Sequence, residues 1–368
     1  MPPLRIAHVD AEQGFSGGEV QVFLLIEGLR GLGHEVLLLV PPRSRAEAEA
    51  RRRGIEVASV RMANDLDLGA VSALRRAIEG FRAEIVHLHT GRATWLGGLA
   101  ARFASVPAIT TRRMDRRIRA SWRNRLVYGP LVARAVAISP AVRDELARGG
   151  VDPAKISTIP SSVDPAALAP RAAREATRRA LEAEEGTVVL LVLASLVRRK
   201  GLDVLLDALA SLPPRPDFHL WIAGAGPERT ALEAQSERLG LSARVRFLGS
   251  RDDAPDLLAA CDVYVLPSRR EGLGVSALEA MAARRPVVAS RVGGLGDAVV
   301  DQRTGLLVPP EDAAELARAL ARLLADPALR RRLGEAGPAR LAEGFLASQM
   351  VAAYEKLYRS VLEERRKS

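Results

Sequence analysis

The chain has 368 residues, of which 48% are hydrophobic and 27% charged, and only one is a cysteine. This length favours two domains over one core, and the apolar content excludes a wholly disordered protein. A single cysteine, Cys261, excludes an intramolecular disulfide and is typical of a reducing compartment. The longest apolar run, at 187–197, is too short to span a membrane, and the N-terminus resembles a strand rather than a secretory signal. We therefore expect a cytoplasmic protein.

The net charge of +10 is unevenly distributed, because residues 1–165 contain 24 basic and 17 acidic residues. A basic first half indicates an anionic partner, such as phosphate, a membrane surface or nucleic acid. Aromatic residues make up only 4% of the chain, which leaves few side chains to stack against bases. We expect no nucleic-acid partner.

Short apolar strands alternate with helical segments along the whole chain. The first half contains "LRIAHVD", "EVLLLV", "EIVHLHT", "PAITT" and "AVAIS"; the second contains "TVVLLVLAS", "FHLWIAG", "RVRFLG", "VYVLPS", "RPVVAS" and "GLLVPP". This alternation predicts βαβ units and parallel sheets. We predict an α/β protein with Rossmann-like domains at 1–165 and 174–345 and a C-terminal helix at 346–368. The proline-containing segment 159–173 marks the predicted boundary.

Two glutamates, Glu271 and Glu279, stand eight residues apart in "PSRREGLGVSALEAMAARRPVVAS", directly after a predicted strand. Ligands of open α/β sheets lie beyond the carboxyl ends of the strands. Gly272 and Gly274 allow a ligand to approach the backbone closely, and a helix that begins near Ser276 favours phosphate. The two carboxylates would then accept hydrogen bonds from the hydroxyls of a sugar or ribose.

Other interpretations of the same segment stay open. Ser276 to Glu279 has the S-x-x-E pattern of a capping box, which would give Glu279 a purely structural role. Glu271 could be a solvated loop charge. The two carboxyls could also form a glycosidase pair, which requires a separation of about 5 to 10 Å.

The segment resembles the E-x7-E signature of family-4 retaining glycosyltransferases. Further motifs of that family occur in its order: "SGGEVQVFLLIEGLRGLGHEVLLLV", "KGLDVLLDAL", "IAGAGPE", "VRFLG" and "TGLLVPP". The resemblance implies the GT-B fold, with two Rossmann-like domains that face each other across a cleft and a C-terminal helix that crosses back to the first domain. It also implies transfer of a sugar, with retention, to a glycan or lipid-linked acceptor in lipopolysaccharide, glycolipid or polysaccharide assembly. No metal or cofactor is expected, and UDP or GDP sugars are the favoured donors.

The resemblance also assigns roles to individual residues. It implies that Glu279 binds the ribose hydroxyls and Glu271 the donor sugar, and that Lys200 neutralises the departing diphosphate. The remaining donor-site residues are expected to act mainly through their backbone or as phosphate contacts: Gly17, Gly18, Arg199, Arg246, Phe247, Gly272, Leu273 and Gly274. Each of these roles has a structural alternative. Lys200 could be a solvated surface charge, Gly17 and Gly18 could form a plain tight turn, and Phe247 could pack in the core.

Three departures from the family pattern concern phosphate and acceptor contacts. Ser195 occupies the position of a phosphate-binding arginine, and the adjacent arginines are candidate replacements. Arg112 or Arg113 replaces a histidine of the family, and arginine cannot act as a general base. The segment 160–164 is "PSSVD" in place of "PNGVD".

The segment "RRMDRRIRASWRNRL" at 112–126 contains seven arginines, and its apolar residues recur every four positions. This spacing predicts a helix whose stripe includes Trp122 and which lies on an anionic membrane as a peripheral contact. An ordinary helix packed into the domain is the alternative.

Histidines and aspartates elsewhere suggest other chemistry. We expect only one of His87 and His89 to face a given side of their strand, with His89 at the acceptor cleft or packed in the core. The "DLD" at 65–67 matches a metal motif but is better interpreted as a helix start. An NAD-dependent oxidoreductase is disfavoured because "GAGPER" lacks the third glycine. A non-catalytic nucleotide-sugar-binding subunit is the main rival function.

Overall fold

The computed structural model describes residues 2–14, 16–114, 118, 121–213 and 217–367. The chain forms two compact units, Met1–Ser161 with Ala347–Ser368, and Ser162–Leu346. Among the described residues, no helix combines the length and the apolar character needed to cross a membrane.

The first unit contains a seven-stranded sheet in the order β3-β2-β1-β4-β5-β6-β7, and all neighbouring strands are parallel. Its strands are β1 Arg5–Val9, β2 Glu35–Val40, β3 Glu56–Ser59, β4 Ile85–Leu88, β5 Ala108–Arg112, β6 Arg134–Ala137 and β7 Ile156–Thr158. The five predicted strands are present. The additional strands, β3 and β7, are short, partly exposed edge strands whose apolar pattern is weak.

Helices pack on both faces of this sheet, and the described part of the first unit contains seven α-helices. They are α1 Gly17–Gly31, α2 Arg45–Arg52, α3 Leu68–Gly80, α4 Gly91–Phe103, α5 Trp122–Leu126, α6 Pro140–Arg148 and the C-terminal helix, α16 Ala347–Lys367. Helix α16 packs against α1 so closely that a Cβ at Gly28 would lie 2.3 Å from a methyl group of Val351. The C-terminal helix is therefore part of the first unit.

The second unit contains a six-stranded parallel sheet in the order β10-β9-β8-β11-β12-β13. Its strands are β8 Val188–Leu193, β9 Phe218–Ala223, β10 Val245–Gly249, β11 Val263–Leu266, β12 Val287–Ser290 and β13 Gly305–Val308. They correspond to the six predicted apolar runs. Leucine and valine side chains from the central strands and from the helices at Leu202–Ala210 and Ala313–Ala325 form the core.

The helices of the second unit are α7 Arg174–Ala180, α8 Leu202–Ala210, α9 Arg229–Arg238, α10 Ala254–Ala260, α11 Val275–Ala282, α12 Leu295–Ala298, α13 Ala313–Ala325, α14 Pro327–Glu335 and α15 Gly337–Ala342. In each sheet the strand order reverses direction in the middle, between β1 and β4 and between β8 and β11. Loops diverge at such a switch point and leave a crevice for ligands at the carboxyl ends of the strands. Both units thus have the predicted Rossmann-like architecture.

Candidate functional site

A tight turn follows β8 and carries Lys200 at the switch point of the second sheet. This lysine turn is a 3-10 helix over Arg198–Lys200, and Gly201 ends it in the left-handed region at φ 67°. A Cβ at Gly201 would lie 2.1 Å from the Pro267 carbonyl oxygen. Glycine is therefore required for the lysine turn to approach the end of β11.

Lys200 and Glu271 form an ion pair where the lysine turn meets the end of β11, a place that we call the corner. Their side chains are only 10% and 13% exposed. The Ser268 hydroxyl donates to the same carboxylate oxygen at 3.3 Å, and an Arg199 nitrogen lies 3.9 Å from it. Neither Lys200 nor Glu271 is the solvated surface charge that the structural alternatives describe. Two cationic groups facing one carboxylate leave a surplus of positive charge, which favours a polyanionic ligand.

Arg269 holds the lysine turn in place, a role that no sequence motif predicts. Its guanidinium donates to both carboxylate oxygens of Asp203 at 2.6 and 2.7 Å and to the Arg198 carbonyl at 2.9 Å. A further nitrogen donates to Glu311 at 2.8 Å. We call this set of contacts the Arg269 clamp. Because its partners are distant along the chain, no spacing pattern could have revealed it. Arg269 therefore acts on Lys200 by fixing the backbone that carries it.

A glycine turn leads directly into helix α11. Gly274 is the N-cap at φ 85°, Val275 is the first helical residue, and a Cβ at Gly274 would lie 2.3 Å from the Leu295 side chain. Gly272 and Leu273 are buried within the same turn. The first N–H groups of a helix have no partner inside it, and together with the helix dipole they favour an anion at this end.

Glu279 lies one turn further along α11. Burial raises the pKa of its carboxyl to about 7, and no described group contributes a hydrogen bond or an opposing charge. The capping-box interpretation of this residue is wrong, because the N-cap is Gly274 and no side chain caps the helix. A recessed carboxyl without a partner is suited to accept hydrogen bonds from the hydroxyls of a ligand.

The remaining donor-site candidates of the second unit do not join this cluster through their side chains. Ser195 is exposed in the loop after β8. The Arg246 guanidinium pairs with Glu182, and Phe247 packs against the hydrophobic core, as its structural alternative describes. The Arg246 and Phe247 side chains are therefore engaged elsewhere in the fold.

In the first unit, Gly17 and Gly18 form the first turn of α1 behind a capping box that sequence reasoning missed. The Ser16 N–H donates to a Glu19 carboxylate oxygen at 2.5 Å, and the Gly18 N–H donates to the Ser16 hydroxyl at 3.3 Å. The S-x-x-E pattern at 16–19 was the available signal. The Gly18 N–H is thus engaged in the cap, and a phosphate would compete with Ser16 for it.

Asp10, at the end of β1, is a further residue that the sequence did not single out. Its side chain is only 2% exposed, and it accepts the Glu12 N–H at 3.0 Å. Burial raises the pKa of this carboxyl to about 6, and the nearby Arg113 acts in the opposite direction. A buried acid with such a pKa at the carboxyl end of a strand is a candidate for proton exchange with a ligand.

His87 and His89 lie on the same side of the sheet, with ring centroids 4.0 Å apart. The expectation that only one faces a given side is wrong, because residues two apart in a strand point to the same face. His8 on the paired strand joins them, and its ring stacks on His89 at 5.1 Å. Burial holds the pKa of all three imidazoles below the usual range, to about 3 for His8.

Hydrogen bonds determine the tautomers of two of these rings. Arg113 can only donate, so its contact of 3.3 Å makes His89 Nδ1 an acceptor. The proton of His89 is then on Nε2, which donates to His8 Nδ1 at 2.8 Å. The His8 Nε2–H is left buried, without a partner among the described groups. His89 is therefore a packed histidine that orients Arg113.

The third imidazole connects the sheet to the C-terminal helix. His87 bonds the hydroxyls of Tyr358 and Thr111, both at 2.7 Å, and Thr111 bonds Tyr354 at 2.8 Å. Among the described residues, the three histidines are the group with the composition of a metal site. Their hydrogen bonds and the adjacent guanidinium disfavour a cation at this position.

The predicted helix over 112–126 is wrong. Arg112 is the last residue of β5, and α5 begins only at Trp122. Ile118 is buried against Gly149, where a Cβ would lie 2.6 Å from it, so it cannot share an exposed stripe with Trp122, which is 69% exposed. Residues 115–117, 119 and 120 lie outside the described part of the chain.

The "DLD" segment has a structural role in the described part of the chain. Asp67 caps α3 by accepting the Ala70 N–H at 2.9 Å, as the helix-start interpretation predicts. Asp65 pairs with Arg123 at 2.7 Å. Both carboxylates are therefore engaged within the fold.

Two family models together match most of the chain. Residues 15–167 match the model of "Glycosyltransferase Family 4", and residues 173–340 match "Glycosyl transferases group 1". The chain is 30% identical over 351 residues to the alpha-D-kanosaminyltransferase of Streptomyces kanamyceticus, which covers 83% of this chain and 89% of that protein. It is 38% identical over 183 residues to the lipopolysaccharide core biosynthesis glycosyltransferase LpsE of Rhizobium meliloti (strain 1021). That match covers 50% of this chain and 53%, about half, of LpsE.

Solved structures agree with these sequence matches. Anabaena Alr3699/HepE, in complex with UDP and glucose, superposes with a TM-score of 0.86 at 22% identity, covering 97% of this chain and 100% of that chain. This likeness concerns the fold alone. The chain has two Rossmann-like units, a family model matches each of them, and one relative is similar over most of its length. The chain therefore belongs to glycosyltransferase family 4 and has the GT-B fold.

Proposed function

We propose that the protein transfers a sugar, with retention of anomeric configuration, from a nucleoside-diphosphate sugar to a glycan or lipid-linked acceptor. The observation that carries this proposal is the corner at the carboxyl end of the second sheet. There a buried lysine, the start of α11, which no side chain caps, and two recessed carboxyls, Glu271 and Glu279, lie on neighbouring elements. Cationic and N–H groups suit a diphosphate, and the carboxyls suit the hydroxyls on either side of it.

The chemistry follows from charge development on the leaving diphosphate. As the bond between the sugar and the diphosphate breaks, negative charge grows on the departing oxygen, and Lys200 would balance it. Glu271 holds Lys200 by the ion pair, so the lysine would already be positioned when the donor arrives. When the diphosphate takes over Lys200, Glu271 becomes available to the sugar hydroxyls. Metal-independent transfer is part of the proposal, because Lys200 supplies the charge that a divalent cation would otherwise provide.

The donor and the acceptor are narrower parts of the same proposal. HepE was crystallised with UDP and glucose, so UDP sugars are the first donors to test, followed by GDP sugars. LpsE is named for lipopolysaccharide core biosynthesis, which agrees with an acceptor that is borne on a lipid. We also propose that the protein works at the surface of an anionic membrane, where such an acceptor resides.

Slow hydrolysis of UDP-glucose without acceptor tests the enzymatic activity. We expect the wild-type protein to release UDP, and we expect the Glu271→Gln variant to release it at least about tenfold more slowly. Glu233→Gln is the matched control, because Glu233 is half-exposed on α9 and, among the described residues, its carboxylate pairs only with Arg229. If UDP-glucose and GDP-mannose both bind but neither is hydrolysed or transferred, the non-catalytic binding subunit becomes the better description.

A further inference from the structure

Eight large apolar side chains are exposed in the described part of the first unit, and four of them lie in the segment that leads into α3 and on helix α5. The exposed fractions are 86% for Leu66, 76% for Leu68, 69% for Trp122 and 42% for Leu126. We call these four residues the apolar surface. Such clusters with a polar border mark places where a protein contacts another phase or another molecule.

Specific contacts hold the two parts of the apolar surface together. Asp65, next to Leu66, accepts a hydrogen bond from Arg123 of α5 at 2.7 Å. The Asp65 carbonyl also accepts the indole N–H of Trp95 at 2.8 Å, and the Trp122 ring packs edge-on against Trp95 at 6.3 Å. The loop before α3 and helix α5 are therefore fixed side by side, with their leucines and tryptophan directed away from the core.

Basic side chains border the apolar surface. Arg61 and Arg125 are exposed, and the side chains of Arg92 and Arg123 are 43% and 37% exposed. Of the two acids within the loop, Asp65 is paired with Arg123, and Asp67 is engaged in capping α3. The border therefore carries a surplus of positive charge.

This combination of apolar and basic groups indicates which partner covers the apolar surface. Leucine and tryptophan enter the boundary between headgroups and acyl chains, and arginines at the same depth bind the phosphates of anionic lipids. A second copy of the chain is a poorer fit, because a two-fold interface would place the same arginines against each other.

We propose that the apolar surface inserts into the headgroup region of an anionic membrane while the bordering arginines bind lipid phosphates. The surface differs from the predicted helix over 112–126, because half of it comes from Leu66, in the loop before α3, and Leu68, the first residue of α3. Arg113, which follows β5, is at the same edge of the sheet, so a lipid-borne sugar would reach the acceptor side of the unit. The inference rests on the proposed function only for the identity of this acceptor.

Flotation of the full chain with vesicles tests the proposal. We compare neutral phosphatidylcholine vesicles with vesicles that contain about a third phosphatidylglycerol. Wild-type protein should float with the anionic vesicles at low salt and less with the neutral ones. The double variant Leu66→Ser/Leu68→Ser should bind the anionic vesicles about tenfold more weakly. Both leucines are exposed, so the variant should fold normally.

Leu32→Ser/Phe103→Ser is the matched control, because these side chains are 53% and 60% exposed but lie away from the loop before α3. Equal flotation of wild type and the Leu66→Ser/Leu68→Ser variant would overturn the proposal, and so would equal losses in both double variants. Concentration-dependent dimerisation that only the first variant abolishes would assign the surface to a second copy instead. Hydrolysis of UDP-glucose is measured on the same samples. Activity without flotation refutes the membrane surface and leaves the proposed sugar transfer intact, whereas flotation without activity refutes the sugar transfer and leaves the membrane surface intact.

Discussion

The unpaired carboxyl of Glu279 leads to the most specific prediction. Burial raises its pKa from 4.5 to about 7 in the folded protein. A carboxyl whose folded pKa is raised contributes stability below its unfolded pKa, and that contribution is lost as the pH rises through the folded value. For Glu279 the loss occurs between pH 4.5 and about 7 and amounts to about 3 kcal/mol.

Replacing Glu279 with glutamine removes the proton equilibrium but keeps the shape of the side chain. We expect Glu279→Gln to be more stable than wild type by up to about 3 kcal/mol at pH 8 and nearly equal at pH 4.5. The variant should also bind UDP about tenfold more weakly, because a neutral amide accepts hydrogen bonds less strongly than a carboxylate. A residue that lowers stability but strengthens ligand binding is typical of a functional site.

Urea unfolding at both pH values, with calorimetric titration of UDP, measures the two effects. Taking the difference between variant and wild type at each pH cancels the contribution of the buried histidines. Glu233→Gln serves as control, and its effect should stay within about 0.5 kcal/mol at either pH. A Glu279→Gln protein that is no more stable than wild type at pH 8, or that binds UDP equally well, would refute the reasoning.

Three further substitutions test the parts that support the site. Gly201→Ala places a Cβ 2.1 Å from the Pro267 carbonyl, so we expect a loss of about 3 kcal/mol in unfolding free energy and weaker UDP binding. Arg269→Leu should raise the KM for UDP-glucose about tenfold with a smaller change in kcat, because the backbone that carries Lys200 is no longer fixed. Arg269→Lys should bring the KM part of the way back to the wild-type value. Unchanged kinetics in Arg269→Leu would contradict the role of Arg269. Tyr358→Phe removes the 2.7 Å bond to a buried imidazole and should cost about 1 to 3 kcal/mol by urea unfolding, whereas UDP titration should give an unchanged affinity.

Apolar strands were predictable because they are buried on both faces and therefore form continuous runs. All six runs of the second half became strands β8 to β13. The edge strands β3 and β7 were not predicted, because an edge strand is short and half-solvated and leaves little apolar pattern. The same signal failed over 112–126, where a period of four predicted a helix. There the first residue belongs to β5, and Ile118 packs inward.

The site was predictable only where residues are neighbours in sequence. The E-x7-E segment placed Glu271 and Glu279 after a strand and across the start of α11, and this local order is what the fold has. The Arg269 clamp and the contact between Asp65 and Arg123 join residues that are far apart in the chain. Such contacts depend on which strands are adjacent in the sheet, and that information is not in local spacing. The S-x-x-E pattern alone does not identify a cap: the serines at 16 and 44 begin helices, whereas the copy at 276–279 does not, because a glycine already begins α11.

The central claim is that the corner around Lys200 holds a nucleoside diphosphate. Calorimetric titration of UDP and GDP into the wild-type protein and Lys200→Met, with Lys356→Met as a control on the C-terminal helix, tests it most directly. We expect micromolar binding of one nucleotide by the wild type and the control, and a loss of at least about tenfold in Lys200→Met, because the diphosphate loses its cationic partner. Equal nucleotide affinity in the wild-type protein and Lys200→Met, or no binding of either nucleotide to the wild type, would contradict the claim.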